Sequence, residues 1–261
     1  MHARTNGIDT FYTIAGDGPW LVLSHSLGCD ISMWDDQMDV LTKHYKVLRY
    51  DTRGHGKSGA PAGAYTLDML ADDLKALLDT VGVSQCHFAG LSMGGMIGQT
   101  FALKYPGVLK TLVLADTTSS YPPEAISLWE ARIKIVQEKG MAGVVDGTLQ
   151  RWFTDPFRQA NPDIMKRMAA LIENTPPIGY IGCCHAIPKI NTTARLKDIT
   201  TPMMIVVGEQ DGGTPLAMSE AMFKARPQSD FYVIKDASHI SNVEKPAAFT
   251  HVLTTFLAKH R

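Results

Sequence analysis

Short apolar runs alternate along this chain with longer segments of helical periodicity, and this alternation limits the possible folds strongly. Several runs are apolar at every position, which is typical of parallel strands buried on both faces. The pattern predicts a doubly wound, mostly parallel α/β sheet with right-handed helical crossovers. The predicted strands are 20–24, 46–50, 86–89, 112–115, 203–207 and 231–234, and the predicted helices are 66–81, 92–105, 215–225 and 246–259.

The alternation stops between residues 119 and 195, where no convincing strand pattern occurs. Tryptophan and methionine recur there at helix-like spacings, with proline-containing breaks between them. The segment is therefore predicted to hold about four helices. We expect a core made of residues 1–118 and 196–261, with a helical cap of residues 119–195 inserted into it.

A lone serine stands between glycines in Gly90-Leu91-Ser92-Met93-Gly94, where a predicted strand meets a predicted helix. Such a turn holds the serine in a strained backbone conformation and exposes its Oγ above the sheet. The glycines let strand and helix approach each other, and the helix N-terminus favours developing negative charge. We therefore predict Ser92 as a nucleophile; the alternative is a helix N-cap.

A nucleophilic serine needs a base, a group that orients the base, and donors for an oxyanion. Asp211 follows one predicted strand and His239 follows the next. Both therefore lie at the carboxyl edge of the sheet, where open α/β sheets bind ligands. We predict His239 as the general base and Asp211 as the acid that orients it. Asp116, which also follows a strand, is the alternative acid.

The backbone N–H groups of Leu27 and Met93 are predicted to form the oxyanion hole. Leu27 follows the strand 20–24, and Met93 begins the helix after the serine. This chemistry requires neither a metal nor an organic cofactor. The four cysteines lack metal-ligand spacing and are expected to be reduced and mostly buried.

These motifs resemble the α/β-hydrolase fold and, more narrowly, the 3-oxoadipate enol-lactonases of aromatic degradation. The resemblance covers almost the whole chain. Its catalytic motifs are shared by many hydrolases, whereas the two stretches around residues 151 and 239 are more specific to the enol-lactonases. The stretches that carry it are Ser26-Leu27-Gly28, Met33-Trp34, Leu48-Arg49-Tyr50-Asp51-Thr52-Arg53-Gly54-His55-Gly56, Gly90-Leu91-Ser92-Met93-Gly94-Gly95, Arg151-Trp152-Phe153-Thr154 and Ala237-Ser238-His239-Ile240-Ser241-Asn242-Val243-Glu244.

The reduced cysteines lead us to expect a cytoplasmic protein, and the resemblance implies a serine hydrolase that opens 3-oxoadipate enol-lactone to 3-oxoadipate through an acyl-serine intermediate. The cap would then act as a lid that shapes the pocket and excludes water. A lid over an anionic substrate needs a cation, which makes two arginines candidates for binding a carboxylate. The candidate substrate-binding residues are Trp34, Trp129, Arg132, Arg151 and Trp152.

Two departures from the enol-lactonase pattern leave the substrate open. His25 stands where enol-lactonases often have asparagine, and the stretch after the strand 112–115 lacks their arginine. Both favour a carboxylesterase for small acyl esters as the alternative. Further alternatives are a cofactor-free perhydrolase, a C–C bond hydrolase, or a ligand-binding receptor that retains a slow hydrolase pocket. His25, His55, His87 and His185 are expected to be structural or to line the pocket.

The charge balance argues against large anionic partners. The formal net charge is −1, with 25 basic and 26 acidic residues and no basic run, so nucleic-acid binding is not expected. The N-terminus has no apolar segment of a signal peptide, and no apolar run reaches the roughly 18 residues of a membrane span. The expected partner is a small lactone or ester substrate.

Overall fold

Eight strands form one sheet in the computed structural model, which describes residues 1–260. They are β1 (His2–Thr5), β2 (Ile8–Ala15), β3 (Trp20–Ser24), β4 (Lys46–Tyr50), β5 (Cys86–Leu91), β6 (Leu109–Ala115), β7 (Met203–Gly208) and β8 (Asp230–Ile234). Their order is β1-β2-β4-β3-β5-β6-β7-β8. Strands β3 to β8 are parallel, and β1 and β2 pair in antiparallel fashion. The predicted α/β fold class is confirmed.

Helices cover both the crossovers and the segment between β6 and β7. They are α1 (Asp35–Leu41), α2 (Leu67–Thr80), α3 (Met93–Lys104), α4 (Ala125–Lys139), α5 (Ala142–Trp152), α6 (Asp155–Ala160), α7 (Pro162–Glu173), α8 (Pro177–Ala186), α9 (Leu216–Ala225), α10 (Ser241–Glu244) and α11 (Pro246–Ala258). None of the helices in the described part of the chain has the length and hydrophobicity needed to cross a bilayer.

The segment between β6 and β7 contains the five helices α4–α8, one more than predicted. The additional helix is α6, which has only six residues. Asp155-Pro156 and Asn161-Pro162 indicate breaks in the sequence, but proline also fits the first turn of a helix, where its missing N–H costs nothing. Pro156 and Pro162 each lie in the first turn of a helix. The core and cap boundaries stay a prediction.

The sequence analysis missed the two N-terminal strands. β1 alternates between exposed and buried positions, and β2 begins with the same alternation and continues with half-buried positions, as expected for an antiparallel edge with one solvated face. Some of their buried positions are polar, and the Thr5 and Thr10 hydroxyls lie 2.6 Å apart in a cross-strand hydrogen bond. A search for continuous apolar runs therefore passes over them.

The parallel strands lie in the core, as their composition predicts. All six positions of β5 and all six of β7 are buried. Helix α2 begins at Thr66, whose Oγ1 accepts a hydrogen bond from the Met69 N–H at 3.0 Å, and it buries Leu70, Leu74 and Leu77. Each such leucine contributes about 1.5–3 kcal/mol through burial. Because these strands are parallel, the carboxyl ends of β3, β5, β6, β7 and β8 lie at the same edge of the sheet.

The four cysteines are all buried and unpaired, which agrees with the expected thiols.

Candidate active site

The turn between β5 and α3 holds Ser92 in a conformation that side chains rarely adopt. Its φ is 55° and its ψ −114°, which costs on the order of 1–3 kcal/mol for a residue other than glycine. A Cβ on Gly90 would lie 2.2 Å from the Gly94 carbonyl oxygen, and one on Gly94 would lie 2.3 Å from that of Ser24. Both glycines are therefore required for strand and helix to meet at this turn.

The structure brings Ser92, His239 and Asp211 together from three separate strand ends. The Ser92 hydroxyl lies 2.9 Å from His239 Nε2. His239 Nδ1 lies 2.8 and 3.0 Å from the two carboxylate oxygens of Asp211. Asp211 also accepts hydrogen bonds from the Gly213 N–H, the Thr214 N–H and the Thr214 hydroxyl. These donors hold the carboxylate facing the imidazole.

The surroundings of His239 favour its protonated form. Burial alone would lower the pKa of this imidazole, but the charge and hydrogen bond of Asp211, together with the charge of Asp116, outweigh burial and raise the pKa above 6.5. A Cβ on Gly213 would lie 2.7 Å from His239 Cγ, so this glycine lets the Asp211 loop approach the ring. The histidine can therefore accept and hold a proton.

Asp116, the alternative acid, does not hydrogen bond to His239. One carboxylate oxygen of Asp116 accepts from the Gly208 N–H at 2.8 Å, and the other accepts from the Ser241 N–H at 3.2 Å and the Ser241 hydroxyl at 2.6 Å. Burial and the charge of Asp211 raise the pKa of Asp116 to about 8. Asp116 joins the end of β7 to the segment after His239, whereas Asp211 contacts the imidazole directly.

The N–H groups of Leu27 and Met93 are available at the edge of the sheet. Among residues 1–260, neither N–H has a hydrogen-bond acceptor. Met93 is the first residue of α3, and Leu27 lies on the loop after β3 that lines the cavity beside Ser92. A methionine side chain carries no hydrogen-bond donor, so only the backbone N–H of Met93 could bind an oxyanion.

Two buried histidines support the loop that carries Leu27. His55 Nε2 accepts a hydrogen bond from the Gly28 N–H at 3.0 Å, and His25 Nε2 accepts one from the Thr52 N–H at 2.9 Å. His25 Nδ1 lies 2.7 Å from the Ser26 carbonyl oxygen. Because a backbone N–H can only donate, both Nε2 atoms must be unprotonated acceptors.

Both supporting histidines are therefore neutral. Burial, followed by the neighbouring charge of His25, lowers the pKa of His55 to about 3. Burial also lowers the pKa of His25, despite the opposing charge of Asp51. They are structural residues and do not line the cavity, which is one of the two roles that the sequence analysis expected. Their hydrogen bonds to this loop could not be inferred from the sequence.

A cavity of about 360 Å³ lies above Ser92 and His239. Four of the five predicted substrate-binding residues line it, all from the helices between β6 and β7: Trp129, Arg132, Arg151 and Trp152. Two tyrosines that the sequence analysis did not single out, Tyr121 and Tyr180, also line it. Nothing in their local sequence distinguishes them from ordinary core tyrosines.

Trp34, predicted as a substrate contact, is not among the residues that line this cavity. Its side chain is fully buried and packs against the ring of Phe249 in α11, with centroids 5.9 Å apart. The short helical turn Ile31–Trp34 directs the indole into the core next to α1. Its apolar surface serves packing, which is the more common use of a tryptophan beside a helix.

Two arginines face the cavity without an acidic partner. The Arg132 guanidinium carbon lies 4.8 Å from the ring centroid of Trp129, and Arg151 Nη2 lies 3.3 Å from the Thr148 hydroxyl. Neither forms an ion pair with a carboxylate among residues 1–260. Burial and the charge of Arg132 lower the pKa of Arg151 to about 10, so Arg151 remains a cation at neutral pH. The exposed Glu124 at the same cavity pairs with neither.

The described residues contain no group of three or more histidine, cysteine, aspartate or glutamate side chains arranged to hold a metal ion.

Comparison with known proteins agrees with this geometry. A family profile described as alpha/beta hydrolase fold matches residues 19–246. The chain is 35% identical to 3-oxoadipate enol-lactonase 2 of Acinetobacter baylyi over 93% of this chain and 90% of that protein. It is 31% identical to a putative carbamate hydrolase, RutD, of Stutzerimonas stutzeri over 93% of each chain.

A solved structure is also very similar. The enol-lactonase from Burkholderia xenovorans superimposes with a TM-score of 0.95 at 35% identity, covering 99% of this chain and 100% of that one. The alignment spans nearly the whole of both chains. The chain therefore belongs to the alpha/beta hydrolase fold family, within which it is an enol-lactonase-like hydrolase.

Proposed function

We propose that this protein is a serine hydrolase that opens a small enol-lactone carrying a carboxylate, of the 3-oxoadipate enol-lactone type. The observation that carries the proposal is the pair of arginines without acidic partners in the cavity above Ser92. Both side chains are half-buried, so a bound anion would replace hydration that the cavity withholds from them, and a guanidinium matches a carboxylate in shape and charge. The similarity to enol-lactonases supports the same substrate class.

The first chemical step forms an acyl-serine. His239 Nε2 accepts the proton of the Ser92 hydroxyl, and Oγ attacks the lactone carbonyl carbon. The resulting oxyanion accepts hydrogen bonds from the Leu27 and Met93 N–H groups. Loss of one such donor typically costs about 10²–10³-fold in turnover. Asp211 holds the Nδ1–H tautomer and stabilises the imidazolium.

Collapse of the tetrahedral intermediate breaks the bond between the carbonyl carbon and the ring oxygen. His239 returns its proton to the departing enol oxygen, and the enol then tautomerises to a ketone. The acyl group remains on Ser92 as an ester. His239 next removes a proton from water, which attacks this ester and releases the carboxylic acid. Each proton that the imidazole accepts is returned within the same cycle.

The cap residues would orient the substrate through charge and apolar contact. Arg132 and Arg151 would bind the carboxylate of the lactone side chain, while Trp129 and Trp152 would contact its flat ring. This arrangement uses interactions remote from the reacting carbon to fix the carbonyl against Oγ. A neutral ester would gain the apolar contacts alone.

A carboxylesterase for small acyl esters is the second candidate. It is favoured by the apolar part of the cavity lining, to which Pro122, Leu128 and Met218 contribute. The substitution of His25 for asparagine and the missing arginine after β6 also favour it. In this case the two arginines would bind no part of the substrate, and their removal would leave turnover unchanged.

The test compares kcat/KM for 3-oxoadipate enol-lactone with kcat/KM for p-nitrophenyl acetate. We expect a preference for the lactone of about 10³-fold or more. Arg132→Gln and Arg151→Gln should each reduce that preference by about 10- to 100-fold and leave the acetate ester almost unaffected. Arg167→Gln is the control, because Arg167 lies on the outer face of α7 near Asp36.

Comparable rates for the two substrates, or arginine variants that keep the full preference, would favour the esterase instead. Product analysis by chromatography separates simple hydrolysis from perhydrolysis and from C–C bond cleavage, because each reaction gives a different acid.

A further inference from the structure

A buried carboxylate joins the catalytic-histidine segment to the end of α5. Glu244 is 3% exposed. Its Oε1 accepts hydrogen bonds from the Thr154 N–H at 3.0 Å and the Thr154 hydroxyl at 2.5 Å. Its Oε2 accepts one from the Ser238 N–H at 2.6 Å. Thr154 lies two residues after α5, and Ser238 immediately precedes His239, so one side chain bridges the two segments.

Further hydrogen bonds meet at the same junction. The Ser238 hydroxyl lies 2.9 Å from the Arg151 carbonyl oxygen and 3.1 Å from that of Gln210, and it accepts from the Gly212 N–H at 3.4 Å. A Cβ on Gly212 would lie 3.3 Å from the same Arg151 carbonyl oxygen. The backbone of Arg151 is thereby tied to the residues on either side of Asp211.

A final backbone contact completes the junction: the Ile240 N–H donates to the Trp152 carbonyl oxygen at 3.1 Å. The segment that directs Arg151 and Trp152 into the cavity is thus bonded directly to the residues on both sides of His239. These contacts involve backbone or buried groups, which are held more firmly than exposed side chains.

We propose that Glu244 is a positioning residue that makes the cavity-lining end of α5 and the His239 segment one rigid unit. The binding wall then keeps a fixed distance from the base. The proposal rests on the proposed role of His239 as the general base and is independent of which acyl substrate the cavity accepts.

The chemistry of the junction requires a carboxylate. Three donors converge on Glu244, and its two oxygens can accept all of them. No cation pairs with Glu244 among residues 1–260, so the charge is stabilised by these donors alone. Removing the carboxylate would leave buried N–H groups without acceptors, which destabilises the arrangement that holds them.

Glutamine at this position would separate the two halves of the junction. An amide has one acceptor oxygen, so in either orientation its NH₂ group faces an N–H donor. With the oxygen toward Ser238, the NH₂ group can still donate to the Thr154 hydroxyl, but the Thr154 N–H loses its acceptor. Glu244→Gln should therefore keep the His239 segment in place and loosen its attachment to α5.

The experiment measures p-nitrophenyl acetate kinetics and the rate at which a fluorophosphonate modifies Ser92. Glu244→Ala should lower both kcat and the modification rate by about 10- to 100-fold, as expected when a base is misplaced. Glu244→Gln should change kcat by less than about 3-fold. It should raise KM by about 3- to 10-fold, the factor that corresponds to the free energy of the one hydrogen bond lost at Thr154. Glu173→Gln, on the exposed face of α7, is the matched control.

Rates are expressed per Ser92 that the fluorophosphonate titrates, so loss of folded protein does not count as loss of positioning. A folded Glu244→Ala variant with both rates within twofold of wild type would overturn the proposal. If that variant does not fold, Glu244→Gln decides alone, and an unchanged KM overturns the proposal. Failure of the proposed function is distinct, because Ser92→Ala would then retain hydrolysis whatever the Glu244 variants do.

Discussion

Buried histidines on the two sides of Ser92 have the same side chain and opposite proton chemistry. On one side, His239 Nδ1 faces the carboxylate of Asp211, and its pKa is raised. On the other side, His25 and His55 hydrogen bond to backbone groups, and the pKa of each is lowered. Burial lowers the pKa in all three, and the charge of Asp51 only partly offsets this at His25, so the directly hydrogen-bonded carboxylate of Asp211 makes the difference. The hydrogen bonds of His25 and His55 to backbone carbonyl groups raise the pKa too little to offset burial.

The comparison separates two tasks within one site. In the proposed mechanism His239 accepts and returns a proton, whereas His25 and His55 hydrogen bond within and beside the loop that carries the Leu27 N–H. Variants of His239 or Asp211 should therefore cause the largest losses of turnover, while variants of His25 or His55 should cause smaller ones.

The largest effect is expected from His239→Ala. Without the base, kcat/KM for p-nitrophenyl acetate should fall on the order of 10⁴-fold or more, as should that of Ser92→Ala, because the two groups act as one unit. Steady-state kinetics on protein with an unchanged circular dichroism spectrum measures this loss. A variant retaining a tenth of wild-type activity would show that this pair does not carry the reaction.

A smaller loss of about 10³–10⁴-fold is expected from Asp211→Asn, which removes the charge that the imidazolium needs. Asp116→Asn is the matched control, because Asp116 is equally buried but hydrogen bonds to Gly208 and Ser241 instead of to His239. Its loss should be at least tenfold smaller. Equal losses in the two folded variants would contradict the assignment of Asp211 as the orienting acid.

The parts of this site that could be predicted from sequence are those with local patterns. Ser92 is marked by a glycine-flanked turn after a buried strand, and Asp211 and His239 each follow a parallel strand whose end the topology places at the same edge. Trp34 could not be placed, because the rotation of a single short helical turn decides whether it meets the cavity or Phe249.

The supporting contacts could not be predicted, because they join residues that are far apart in sequence. Glu244 meets Thr154 across 90 positions, and His55 meets Gly28 across 27. The strands β1 and β2 were missed for another reason: their alternating and partly polar positions lack the continuous apolar run that identifies the central strands.

The pH dependence of activity should report the raised pKa of His239. Only the neutral imidazole accepts the serine proton, so kcat/KM should rise with pH through a pKa above 6.5 and fall tenfold per unit below it. Asp211, Asp116 and Arg151 are the charged groups that influence this imidazole. In Asp211→Asn the main raising influence is gone, so the acidic limb of the residual activity should move to lower pH. Rates of the wild type and of Asp211→Asn from pH 5 to 9 locate the acidic limb of each. An acidic limb at the same pH in both proteins would contradict the role given to the Asp211 carboxylate.

His55→Leu should have a milder effect on turnover. The Gly28 N–H loses its acceptor, and the loop that carries Leu27 loosens without losing its donor. We expect kcat to fall by about 10-fold, less than the roughly 10²–10³-fold cost of removing an oxyanion donor. The acidic limb should stay at the wild-type pH, since His239 keeps its surroundings. A shift of that limb would mean that His55 influences the base directly.

The smallest effect expected at neutral pH is on the free energy of unfolding. It tests the lowered pKa of His55 in the folded protein. The pKa of His55 is about 3 in the folded protein and about 6.5 in the unfolded chain. Between these values the unfolded chain binds a proton that the folded protein does not, so the free energy of unfolding decreases as pH falls, by about 1.4 kcal/mol per unit. His55→Leu removes this contribution, so its unfolding free energy, measured in urea from pH 7 to 4.5, should fall less steeply than that of wild type by about this slope. Equal slopes would mean that His55 becomes protonated within the folded protein, in which case its hydrogen bond to Gly28 could not be the one that supports the loop.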